Sequence, residues 1–324
     1  MGGNALQKPS IRLKAKDYFN LWNNHLRLLE PHIRLIPAYT SKKDFGDMDI
    51  ITNVANLNNI ENMVGKIKST GLNVVDYSSN SDVKSYGIET KQGIFQLDVI
   101  YCHPNWSDFA YNYFAYNDLG NLIGRISRGV GLKFGHKGLE YPHRIGASHV
   151  RFHLLTRNFF EALEYLDLSK ERYLEGFATP EDIYEFVVSS KYFNYSHFDL
   201  SKRNHVARVR DRKRVMYKGF LEYITKNNLN LSPPHEKDYL CDHQSKFPHL
   251  IDKMEKFETE CRELDDYKMR FNGRIIMEVT GLSGVELGDF IRHYKGSFSK
   301  DFVLSSDDVA IRKRIIECFN EFKK

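Results

Sequence analysis

The sequence predicts an α+β protein: a small mixed sheet with flanking helices comes first, and helix dominates the rest. Three observations predict it. Short β-branched and apolar runs alternate with amphipathic periods over the amino-terminal third. A stretch crowded with glycine and aromatic residues follows, and the last third is helical pattern broken at two points. The chain accordingly divides into segments 1–105, 106–195 and 196–324.

The elements follow in order. Phe19, Trp22, Leu26 and Leu29 recur at steps of three and four, which marks a helix from Lys16 to Glu30 that Pro31 ends. Ile33 to Ile36 and Met48 to Thr52 are strand-type runs, and Leu57 to Thr70 is a helix closed by Gly71. Val83 to Thr90 and Ile94 to Tyr101 flank Lys91-Gln92-Gly93, which is good hairpin chemistry, and Pro104 ends the sheet. Aromatics and glycines then fill Phe109 to Leu139, ahead of a histidine-rich stretch reaching His153. Asn158 to Leu166 and Pro180 to Ser189 read as helices, the second with Thr179 as its N-cap. Lys191 to Asp199 reads as a linker. Helical pattern resumes near Lys202, with breaks at Pro233-Pro234 and at Gly281 to Gly288.

Composition narrows the function classes. With 324 residues, 41% of them hydrophobic and 27% charged, the chain can bury a core, and it carries no low-complexity tract. Its 47 basic and 42 acidic residues leave a net charge of +5, which permits an anionic partner. No apolar run reaches the ~18–20 residues of a membrane span, and no signal-peptide pattern opens the chain. Cys102, Cys241, Cys261 and Cys318 are too scattered for a disulfide or metal framework. A cytoplasmic monomer with no membrane partner is the expectation.

The informative residues are Phe45-Gly46-Asp47-Met48-Asp49-Ile50. Side chains at i and i+2 of a strand share a face, so Asp47 and Asp49 present two carboxylates side by side. Carboxylates that close repel one another, and a divalent cation such as Mg²⁺ relieves the repulsion. Asp98 stands alone in the apolar strand Phe95-Gln96-Leu97-Asp98-Val99-Ile100, where a charge needs a partner. A strand paired beside Met48 to Thr52 delivers Asp98 to the same cluster. Three acids on two adjacent strands hold two metals ~4 Å apart, which clamp an in-line phosphoryl displacement.

These residues resemble the palm of the DNA polymerase beta nucleotidyltransferase superfamily. The stretch through Tyr113-Phe114, Asn117-Asp118, Asn121 and Arg125, then Gly131 and Gly138-Leu139, is similar to the palm-to-thumb passage of family X DNA polymerases. Thr179 to Tyr184 resembles the helix-starting segment near the end of that thumb. The resemblance covers about Ile33 to Ser189. It implies a nucleotidyltransferase palm over 1–105, a thumb-like subdomain over 106–195, and catalysis by Asp47, Asp49 and Asp98 with Mg²⁺ or Mn²⁺. It further implies that Tyr113 and Phe114 support the sugar and base of a nucleoside triphosphate. Asn121 and Arg125, one helical turn apart, would reach the nascent pair and template. The family's Gly-Ser phosphate-binding pair is absent; Pro37-Ala38-Tyr39-Thr40-Ser41 occupies its place. Thr40, Ser41 and Lys42 then supply the hydroxyl, amides and cation for the phosphates. The lyase and fingers domains usual at the amino end of the larger members have no counterpart ahead of Ile33.

Lys202 to Lys218 carries eight basic side chains against the single acid Asp211. Arg208, Arg210, Arg212, Lys213 and Arg214, continued by Arg128 and Lys133, form a track for nucleic-acid phosphates. His149 and His153 are four apart, as in helical zinc sites, but no Glu adjoins the first, and they read as ordinary surface or phosphate-contacting histidines. The segment Gly281 to Gly288 looks like the helical body of CCA-adding enzymes. The expected function is therefore metal-dependent transfer of nucleotides to a DNA or RNA 3′ hydroxyl. The alternatives are CCA- or poly(A)-type addition to RNA ends, and a catalytically silent nucleic-acid-binding module.

Overall fold

Alternation along one short strand sets the orientation of the whole amino-terminal sheet. The structure, a computed structural model, describes residues 5–53, 60–202, 204–229 and 237–324. β1 (Leu13–Lys14) leads into α1 (Ala15–Asn24), which turns Tyr18 and Leu21 inward. A 3₁₀ turn over Leu26–Leu28 ends α1 earlier than periodicity marks, yet still buries Leu26. β2 (Arg34–Leu35), β3 (Asp44–Phe45) and β4 (Asp47–Asn53) follow, then α2 (Ile60–Ser69), closed by Gly71 at φ 85°. Residues 57–59 of the expected helix lie outside the described residues. β5 (Asn73–Asn80), β6 (Val83–Thr90) and β7 (Gly93–Cys102) complete a five-stranded sheet in the order β2-β4-β7-β6-β5. β4 and β7 run parallel; the other pairings are antiparallel. β5 has no strand signal in the sequence because it is a polar, half-exposed edge.

β7 sits second from β2 and is buried along nearly its whole length, because both faces are covered. Met48, Ile50, Leu97, Val99 and Tyr101 pack with Tyr18, Leu21, Met63 and Ile67 of α1 and α2 on one face. Ile51, Ile100 and Cys102 pack on the other face with Ala110 of α3 (Ser107–Phe114). Asp47, Asp49 and Asp98 belong by alternation to this second face.

After α3 the chain takes two consecutive left-handed residues, Tyr116 at φ 56° and Asn117 at φ 63°, before α4 (Leu119–Gly129). Gly120 is required at this bend, since a Cβ there would lie 2.2 Å from the Tyr113 carbonyl oxygen. β8 (Lys133–Gly135), β9 (Gly138–Ile145) and β10 (His149–Thr156) form a three-stranded sheet where no strand was expected. His149 and His153 therefore lie on a strand, and the helical zinc spacing does not apply to them. α5 (Phe159–Tyr165) is capped by Asn158, and α6 (Lys170–Glu175) by Ser169. α7 (Pro180–Val188) starts with a full capping box between Thr179 and Asp182.

Lys191 to Asp199 is not a linker: Phe198 is fully buried, and its carbonyl accepts a 2.7 Å hydrogen bond from the Tyr217 hydroxyl. α8 (His205–Arg212), α9 (Val215–Lys226) and α10 (Leu240–Lys246) follow. α9 is fixed on α7 where the Tyr184 hydroxyl donates to the Met216 carbonyl at 3.0 Å.

The chain divides into two compact units, one holding residues up to 142 and 152–247, the other residues 143–151 and 248–324. Residues 196–247, grouped by sequence with the carboxyl-terminal segment, thus belong with the first unit. The second unit contains α11 (His249–Arg270), α12 (Gly273–Thr280), α13 (Gly284–Tyr294), α14 (Lys300–Ser305) and α15 (Asp308–Phe322). Its core gathers Phe271, Ile276, Phe290, Phe298, Val303, Ile311 and Ile315. Gly281, at φ 74°, caps α12 in the left-handed conformation, and the helix pattern resumes at Gly284. Pro233-Pro234 lies outside the described residues. No helix among the described residues is long and apolar enough to cross a membrane.

Candidate active site

Parallel pairing sets Asp49 opposite Asp98 and Asp47 opposite Gln96. Because β4 and β7 alternate in step, all three carboxylates leave the same face, where α3 does not cover the strands. One oxygen from each lies within 4.8 Å of the others. Such spacing suits oxygen donors shared between hard divalent cations ~3.5–4 Å apart.

The electrostatics agree with that geometry. Burial, then the Asp47 and Asp98 carboxylates, push Asp49 well above the usual carboxyl range, while Lys42 pulls it the other way. Burial raises the Asp98 carboxyl to about 6, against the lowering effect of hydrogen bonds from Ser85 and Gln96. Lys42 is itself drawn below the usual lysine range by burial, with Asp47 and Asp49 opposing the shift. Concentrated negative charge with one half-buried ammonium nearby is a site that a divalent cation would relieve.

Two supporting side chains had no place in the sequence expectation. The Gln96 amide nitrogen donates to both Asp98 oxygens at 2.9 Å, and its amide oxygen accepts from the Ala5 N–H at 3.0 Å. Ser85, opposite Asp98 on β6, is buried against it. Period-two alternation was the available signal for Gln96, which lies two residues before Asp98 on the same face.

The carboxylates open into a cavity of about 1460 Å³ within the first unit. That exceeds the ~300–1,000 Å³ usual for a small-molecule pocket. Tyr113, Phe114 and Asn121 line it together with Asp47, Asp49 and Asp98. Tyr113 and Phe114 stand edge to face, 5.2 Å between centroids, and Phe114 stacks on His136 at 5.7 Å. The Asn121 side-chain nitrogen is buried with no hydrogen-bond partner among the described residues.

Other expected residues are placed differently. Arg125 is not on the cavity wall: it is buried, and its Nη2 donates to Asp211 of α8 at 3.4 Å. Thr40 and Ser41 are exposed and outside the lining, and their amides already donate to the carbonyls of Phe177 (3.0 Å) and Ala178 (2.9 Å). Lys42 does line the cavity, with its ammonium 4.5 Å from the centre of the Phe45 ring. Lys133 pairs with Glu140 at 2.7 Å, and Arg128 and Arg212 are exposed. Arg208 is half-buried and outside the lining, whereas Arg210, Lys213 and Arg214 are part of it. Arg214 is paired with Asp118, whose carboxyl is raised by burial and lowered by that partner. Arg203 lies outside the described residues.

No family model matches this chain. No curated protein matches it either.

Proposed function

We propose that this protein is a divalent-cation-dependent nucleotidyltransferase that joins a nucleotide from a nucleoside triphosphate to the 3′ hydroxyl of a nucleic acid. A single observation carries the reading: Asp49 and Asp98 oppose one another on parallel strands with Asp47 alongside, in the wall of a cavity also lined by aromatic and basic side chains. On this reading the five-stranded sheet is the palm, as in the DNA polymerase beta superfamily, and the elements from α3 to α7 are the thumb-like part.

The donor set fits Mg²⁺ or Mn²⁺, being three hard carboxylates whose mutual repulsion Lys42 only partly offsets, so that Asp49 stays well above the usual carboxyl range. When bound, the cations lower the pKa of the attacking hydroxyl and offset the charge that develops on the phosphates. Asp47 and Asp49 from β4 would hold them together with Asp98 from β7. Asp98 Oδ takes the proton of the 3′ hydroxyl as that oxygen attacks the α-phosphorus and pyrophosphate departs. Gln96 and Ser85 keep the Asp98 carboxylate aimed at that position. Tyr113 and Phe114 offer the apolar surface on which a base and sugar rest.

Labelled nucleotides, Mg²⁺ or Mn²⁺, and DNA or RNA primers with and without template form the direct test. Cation-dependent extension of at least one primer is expected; absence of incorporation on all of them refutes the proposal. The nucleic-acid strand is assigned to basic side chains outside the cavity, Arg128, Arg208 and Arg212. Replacing all three with alanine should flatten the slope of log K against log[salt] by about 2–3, at ~0.7–0.9 per lost phosphate contact. An unchanged slope removes these residues from the binding track.

A further inference from the structure

We propose that the nucleotide's phosphates are held by Arg210, at the carboxyl end of α8, and Lys213, in the turn after it, rather than by Thr40 and Ser41; this rests on the nucleotidyltransferase reading of the same cavity. The expected phosphate cradle is already committed. Thr40 and Ser41 give their backbone amides to the carbonyls of Phe177 and Ala178, and neither residue lines the cavity. Lys42 lies under the influence of Asp47 and Asp49, so its charge offsets the carboxylates. A triphosphate that enters beside three carboxylates needs further cations, because like charges at close range are destabilising in a partly dry site.

The carboxyl end of α8 and the turn that follows it supply them selectively. Arg210 and Lys213 are three residues apart and both line the cavity, while Arg208 and Arg212 of the same run do not. Lys213 has no ion pair among the described residues. Arg210 Nε lies 3.4 Å from Asp211, a carboxylate that also serves Arg125. Arg214, the neighbouring lining cation, is neutralised by Asp118. Asn121, whose buried amide nitrogen has no hydrogen-bond partner among the described residues, belongs to the same lining. Arginine and lysine together give a planar fork and a mobile point charge, a combination suited to a chain of phosphates.

Calorimetric titration with inorganic tripolyphosphate in Mg²⁺ buffer tests the assignment on the full chain, beside titration with a single-stranded oligonucleotide. Arg210→Ala/Lys213→Ala should raise the tripolyphosphate Kd by about tenfold or more. Lys202→Ala/Lys218→Ala removes equal charge from exposed positions outside the cavity, and should leave that Kd within about twofold. In extension assays the first pair should raise the nucleotide KM with little change in kcat. The site is overturned if wild-type protein does not bind tripolyphosphate, if the first pair retains wild-type affinity for it, or if the control pair loses as much. The two readings fail separately. Tripolyphosphate binding lost in the first pair, with no primer extended by wild type, keeps the anion site and sinks the transferase; extension with unaltered tripolyphosphate binding in that pair does the reverse.

Discussion

Asp98→Asn should lower nucleotide incorporation about a thousandfold, equivalent to ~4 kcal/mol of transition-state stabilisation, and should also make the metal-free protein more stable at neutral pH. The second half follows from the sign of the shift. Burial holds the Asp98 carboxyl at about 6, above the ordinary aspartate value of 3.8, so the folded state binds its proton more tightly than the unfolded chain does. Stability contributed by this group is therefore fully present below the unfolded value and lost as pH rises through the folded one. At pH 7.5 the ionised carboxylate costs up to about 3 kcal/mol, from ~1.4 kcal/mol per unit. Asparagine removes that cost and keeps hydrogen-bonding capacity beside Gln96. Asp49→Asn should act in the same direction, since its carboxyl is also raised.

Divalent cation reverses the comparison. A cation at ~100 times its Kd stabilises the wild-type fold by about 2.7 kcal/mol, an increment that Asp98→Asn should lack. Thermal unfolding in chelator and in Mg²⁺ at pH 5 and 7.5 separates these effects. An Asp98→Asn protein that incorporates label at the wild-type rate, or that gains as much from Mg²⁺ as wild type does, refutes the metal assignment.

The second large effect concerns Asp211, the single acid in the basic run. It is fully buried and faces Arg125, whose Nε has no hydrogen-bond partner among the described residues. Asp211→Ala leaves a buried guanidinium without that counter-charge, which costs about 3–5 kcal/mol and should lower Tm by roughly 6–20 °C. The double variant Arg125→Met/Asp211→Leu, which removes both charges together, should recover most of the loss. An unchanged Tm in Asp211→Ala would show that the pair does not hold α8 against α4. The pairing also explains why Arg125 and Asn121, one helical turn apart, end in different surroundings. Asn121 is part of the cavity lining, whereas Arg125 is consumed in fastening α8, which carries Arg210 and leads into Lys213.

Local chemistry was legible throughout. Alternation alone put Asp47 and Asp49 on one face; Lys91-Gln92 turned as expected; and Thr179 with Pro180 opened α7. Each depends on groups within about four residues of one another, where backbone sterics and short hydrogen bonds decide the outcome. Strands without strong patterning, such as β5 and β8 to β10, were invisible because their pairing partners, not their composition, hold them extended.

The sequence by itself determined that three acids would sit on strands and that one short segment would be intensely basic. Tertiary structure decided the rest: that β4 and β7 run parallel in the register placing Asp49 against Asp98, that the amides of Thr40 and Ser41 are spent on residues 177–178, and that Arg125 meets Asp211 across 86 positions of chain. The physical reason is that buried charges and backbone donors must find partners somewhere, and which partner they find depends on how distant segments share one core.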